Sequence, residues 1–133
     1  MTFAKGPFDT ADWNARPAFD DRDGVALSRV TLSKTFHGDL TATSVVHMLM
    51  VTTEVEPSRG YVAVERVAGT LHGRTGSFVV QHHAVSGDGQ QALRVTVVPD
   101  SGTGGLRGIR GEMDVAVAPD GSHSYVLDYR LPE

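Results

Sequence analysis

The 133-residue chain has no cysteine, which excludes disulfide staples, thiolate catalysis and cysteine zinc sites. It also lacks long apolar runs. No window approaches the roughly 18 consecutive apolar residues of a membrane-spanning helix, and the opening "MTFAKGPFDTADW" has no apolar core of the secretory kind. A soluble, cytoplasmic protein without a membrane partner is the expectation. Positive charge is scarce: 12 Lys+Arg stand against 16 Asp+Glu, for a net charge of -4. That balance lacks the basic footprint that phosphate neutralisation requires, so nucleic acid is not expected as a partner. Helical periodicity is missing too, and the chain reads as strand nearly throughout.

What is present is ordinary globular composition, 40% apolar and 21% charged. The length suits one domain, residues 1–133, able to bury about two thirds of the surface its unfolded chain exposes. Within it, "VALSRVTLSKTFHG" places Val30, Leu32 and Phe36 on one side and Arg29, Thr31, Ser33 and Thr35 on the other. This is the period-2 pattern of a half-buried strand. The later segments "LTATSVVHMLMVT", "GYVAVERVAGTLHG", "SFVVQHHAVSG", "QALRVTVVP", "LRGIRGEMDVAVA" and "SHSYVLDYRL" are separated by Gly, Pro and Asp breakers. Seven or so short-connected strands argue for an all-β fold, a single small antiparallel barrel or sandwich. Residues 1–24, with Trp13, Pro17 and "DDRDG", read as an irregular or edge-strand lead-in. Several strands are apolar on both faces: Tyr61, Ala63, Val67 and Leu71 alternate with Val62, Val64 and Ala68. A barrel uses one face, and a homo-oligomer, or else cover by a terminal segment, would use the other.

The polar residues of "ERVAGTLHGRTGSFVVQHHAV", 65–85, are the functional candidates. A three-residue loop Arg74-Thr75-Gly76 would put Gly76 in the left-handed conformation and set Glu65, Gln81 and His83 on one face. A two-residue turn at Gly73-Arg74 would instead set Glu65 with His82, since a one-residue slip exchanges faces. Glu65, flanked by Tyr61, Ala63, Val67 and Gly69 on its own face, is expected to be desolvated, with a raised pKa suited to an acid or base. The structural alternative is an ion pair with Arg66, Arg74 or Arg110, or simple exposure. His82, between Phe78, Val80 and Ala84, is the second catalytic candidate, as a proton shuttle or as a satisfied structural imidazole. Tyr61, Gln81 and His47 are candidate ligand contacts, and Met48 and Met50 read as adaptable core.

Six histidines raise the question of metal. His82 and His83 point to opposite faces, and His37, His47, His72 and His123 show no zinc-motif spacing, so neither metal nor cofactor is expected. Gly102, Gly104, Gly105, Gly108 and Gly111 suit sharp coiling or close backbone approach rather than a phosphate loop, because no Lys-Ser or Lys-Thr follows.

The long motifs "ERVAGTLHGRTGSFVVQHHAVSG" and "VTVVPDSGTGGLRGIRGE", with the terminal "YVLDY", resemble an uncharacterised bacterial family, domain of unknown function 3224, from about Phe3 to Leu131. The resemblance implies a small, calycin-like antiparallel barrel similar to allene oxide cyclase, with an internal cavity, and it implies no assigned reaction. Three functions follow as expectations. The first is binding of a small apolar or amphipathic molecule in the cavity. The second is a cofactor-independent isomerase or cyclase similar to allene oxide cyclase. The third is a structural or interaction module with a filled barrel.

Overall fold

The computed structural model describes residues 2–133. Among them the strands are β1 (Thr2–Ala15), β2 (Asp20–Arg22), β3 (Val25–Phe36), β4 (Leu40–Thr52), β5 (Arg59–Leu71), β6 (Arg74–Gly87), β7 (Gln90–Val97), β8 (Arg110–Val117) and β9 (His123–Arg130), with one 3-10 turn at Gly104–Leu106. From β3 onward each strand pairs antiparallel with the next, and β1 pairs with both β9 and β3. Eight strands thereby close into a barrel, while β2 pairs with the start of β3 outside the closure.

Residues 2–15 are therefore not a lead-in but a wall strand hydrogen-bonded on both sides. Their signal is weak because only Ala4 and Phe8 are buried, and because the strand bulges where Asp12 turns to φ 58° against β3. Only Asp20–Arg22 keeps the edge position expected of the first 24 residues.

Strict alternation builds the wall. In β4, Leu40, Ala42, Ser44, Val46 and Met48 point inward while Thr41, Thr43, Val45, His47 and Leu49 point out. The β5–β6 connection is a two-residue turn at His72-Gly73, with φ of 46° and 80°, which sets Leu71 opposite Arg74. Both residues take the left-handed conformation that matches strand twist in a tight hairpin. The three-residue loop is absent, and Gly76 lies inside β6, where a Cβ would collide with the Thr103 carbonyl.

That collision explains the glycine-rich segment. Residues 98–109 fold back over one end of the barrel, with Ser101 and Thr103 side chains accepting from the Val79 and Ser77 amides, and drive Leu106 and Ile109 into the interior. The segment is a plug. Beneath it Phe8, Phe36, Val67, Phe78, Val95, Tyr125 and Leu127 form a dense core, whereas a smaller cluster of Val30, Leu32, Val46, Met48 and Ala63 lines the other half. Tyr125 ties the closed end together: its hydroxyl accepts from the Leu40 amide at 2.9 Å and donates to the His37 carbonyl at 2.7 Å. Tyr125→Phe orphans both groups and is expected to lower stability by about 1–3 kcal/mol in urea unfolding.

On the outside, β4 to β6 expose Val45, Leu49, Val62, Val64 and Val85. Among the described residues no terminal segment covers them, and β1 is itself part of the wall.

Candidate functional site

The two apolar clusters are separated by a layer of four buried polar side chains, Lys34, Ser44, Glu65 and His82, one from each of β3, β4, β5 and β6. The register sets Lys34 opposite Ser44, Val46 opposite Glu65, and Ala63 opposite His82. These pairings stagger the four groups so that they converge on the Glu65 carboxylate. Its Oε2 accepts from the Ser44 hydroxyl at 2.5 Å, and its Oε1 accepts from His82 Nε2 at 2.7 Å and Lys34 Nζ at 3.4 Å.

Glu65 is only 2% exposed, and burial alone would push its carboxyl up. The hydrogen bond from His82, the Lys34 charge and the Ser44 hydroxyl together outweigh burial, so the carboxyl sits below the ordinary carboxylate range. This reverses the raised value expected from apolar neighbours alone. The ion-pair partner is also not an arginine but Lys34.

A lowered carboxyl contributes stability that is complete above the unfolded-state value of about 4.3 and is lost as pH falls through the native value. Below about pH 4.3 the unfolded chain takes up this proton more readily than the native one. Urea midpoints measured from pH 6 downward should therefore fall more steeply for wild type than for Glu65→Gln, which has no proton to gain at this position.

With Nε2–H given to Glu65, His82 Nδ1 has no protein partner among the described residues. Among the described residues Lys34 engages one of its three donor protons, at long range, and its ammonium lies 4.9 Å from the centre of the Phe8 ring.

On the side away from the plug, this layer meets a cavity of about 500 Å³. Its walls include Leu32, Val46, Met48, Tyr61, Leu93 and Val115, while Lys34 and His82 supply buried polar lining and the exposed Trp13 and Val117 stand at the rim. The Tyr61 hydroxyl is pushed up by burial and then by the Glu65 charge, and its ring stands 6.1 Å from that of His82.

The structure thus brings Glu65, His82 and Tyr61 together, as the shared-face alternative required, although the turn lies one residue earlier than Gly73-Arg74. Gln81 and His47 do not join them. Both side chains are exposed on the outer face, each opposite Val64 in its register, because their odd-numbered positions alternate away from the interior. With Arg29, Leu49, Val62 and His83 they border a shallow external trough. Lys34 and Ser44 escaped the sequence reading. Their signal was parity: Lys34 continues the series Val30, Leu32, Phe36, and Ser44 sits between Ala42 and Val46.

Among the described residues no group of three or more His, Cys, Asp or Glu is placed to hold a metal ion, and no helix is long and apolar enough to cross a membrane.

The family model for DUF3224, a protein of unknown function, matches residues 4–129. The chain belongs to the DUF3224 family. A crystal structure of a DUF3224 protein of unknown function from Shewanella oneidensis MR-1 superimposes on this DUF3224 barrel with a TM-score of 0.92. The two are 42% identical, covering 100% of this chain and 98% of the other. No curated protein matches the chain significantly. The DUF3224 membership agrees with the resemblance carried by the two long motifs.

Proposed function

We propose that this DUF3224 barrel binds a small apolar or amphipathic molecule in its open half. One observation carries the reading: the apolar cavity ends on a buried charged layer instead of continuing into packed core. The volume falls in the usual range for small-molecule sites, as does the combination of mostly apolar walls with a few fixed polar groups. Acid–base catalysis by Glu65, as an isomerase or cyclase would use it, has less support, because the carboxyl is held below the ordinary carboxylate range, already accepts from Ser44, His82 and Lys34 and is almost wholly buried.

Titration with the neutral fluorophore N-phenylnaphthylamine tests the proposal. Wild type is expected to bind it, and Met48→Trp, which puts an indole into the cavity, is expected to weaken binding at least about tenfold, or about 1.4 kcal/mol. Equal binding by a folded Met48→Trp variant would show that the fluorophore sits elsewhere and would remove the reading.

The exposed valines outside β4 to β6 support a second copy as their cover, so that the protein works as a homo-oligomer. Sedimentation equilibrium should then give a particle heavier than the 14.2 kDa monomer. A monomer at micromolar concentration would refute it.

A further inference from the structure

We propose that the molecule held in the cavity carries one anionic end group, anchored by the ammonium of Lys34. The inference rests on the cavity reading above and adds the chemistry of the ligand's head.

Three donors meet Glu65, and they are unequal. Ser44 at 2.5 Å and His82 at 2.7 Å are committed to the carboxylate by short hydrogen bonds, whereas Lys34 stands off at 3.4 Å. Lys34 is nevertheless the full cation of the set, with a side chain only 9% exposed. An ammonium in water fills all its donor positions, and a buried one with a single long partner leaves donor capacity unused. Its other neighbours are the Phe8 and Phe36 rings, 4.9 and 6.0 Å to their centres, which attract the charge but accept no strong hydrogen bond, and the cavity that Lys34 lines.

Of the other lining groups, His123 packs its imidazole against the Phe8 ring at 5.1 Å between centroids and is not part of the buried polar layer. Asp12, near the rim, accepts from the Ser33 hydroxyl and carries charge of the wrong sign to hold an anion. Tyr61 offers one hydroxyl higher on the wall. An oxyanion at the cavity floor would give Lys34 the short, charge-assisted bond that Glu65 does not. The apolar body of the ligand would then lie against Leu32, Val46 and Met48 on its way to the rim. Lys34 has three donor protons, so it keeps its long contact with Glu65 while a free donor reaches the ligand, and neither anion is left without the cation.

The experiment is competition against N-phenylnaphthylamine with decanoate and decanol, which share one chain and differ in the charge of the head. Wild type is expected to release the fluorophore at a decanoate concentration at least about tenfold below that of decanol. In Lys34→Met/Glu65→Gln, which removes both charges together so that neither is stranded in the interior, the two competitors should act within about twofold of each other. If the fluorophore binds wild type and decanol displaces it as well as decanoate does, the anionic head is refuted while the cavity reading stands. A decanoate preference that survives in the double variant would also refute it, by placing the anion on another cation. If the fluorophore binds neither protein, the cavity reading itself fails.

Discussion

Lys34→Met alone is expected to destabilise the barrel by about 3–5 kcal/mol, and adding Glu65→Gln is expected to restore most of the loss. The single change leaves an ionised carboxylate at 2% exposure with hydrogen bonds but without a cation. Desolvation of that charge, which Lys34 had offset, then falls on the fold. Glutamine in place of Glu65 removes the charge and puts one carbonyl oxygen and one NH2 group where Ser44 and His82 each met an oxygen. One of them keeps its acceptor and the other, by hydroxyl rotation or imidazole tautomer, accepts from the amide, so the double variant carries a neutral layer of similar volume. Urea unfolding of wild type, the two single variants and the double variant closes a thermodynamic cycle, and its coupling energy reports the pair directly. A Lys34→Met variant within about 0.5 kcal/mol of wild type would mean that water or a compensating shift meets the Glu65 charge, and the layer would not be an ion pair in solution. The layer has a function-related consequence as well. A pair that contributes little net stability over an apolar replacement, yet is costly to break, has another reason to occupy the barrel, and a ligand head group is such a reason.

The all-β class and most strand positions were legible because period-2 alternation is written plainly in β3, β4, β5 and β6, and the breakers between them are strong. The first strand was not, since two buried residues in fourteen give no period and pairing on both sides supplies the order that composition does not. The candidate site was legible in part. Glu65 and His82 stood out as polar residues on apolar faces, but whether they shared a face depended on turn length, which His72 in a left-handed conformation decided. Asn, Asp and Gly are the residues usually read as the turn at such positions, and a histidine gives no comparable signal. The direction of the Glu65 shift was beyond local reading altogether. It depends on Lys34 and Ser44, 31 and 21 residues away in sequence, which barrel closure brings to the same carboxylate. Gln81 and His47 illustrate the reverse error, since proximity in sequence to inward residues says nothing once alternation turns every second side chain outward.

Truncation should separate the half of the barrel that holds the fold from the half that holds the ligand. Phe78 is fully buried in the plugged end, opposite Val67 and packed within the larger cluster. Phe78→Ala is expected to cost about 3–5 kcal/mol, because a sealed, close-packed end cannot collapse into the space a benzyl group leaves. Met48 lines the cavity from the smaller cluster. Met48→Ala forfeits the burial of a few apolar atoms but extends an opening that already exists, and its expected cost is nearer 2 kcal/mol. Binding should move the opposite way. Phe78→Ala, remote from the lining, should leave the affinity for N-phenylnaphthylamine within about twofold of wild type wherever the protein is folded, while Met48→Ala should change it by several-fold, a shift of about 1 kcal/mol. Urea denaturation and fluorescence titration of the same two preparations measure both quantities. Equal stability losses would indicate that the open half closes on itself in solution, leaving no pre-formed cavity. An affinity loss confined to Phe78→Ala would place the fluorophore in the plugged end, against the division on which the ligand-binding proposal stands.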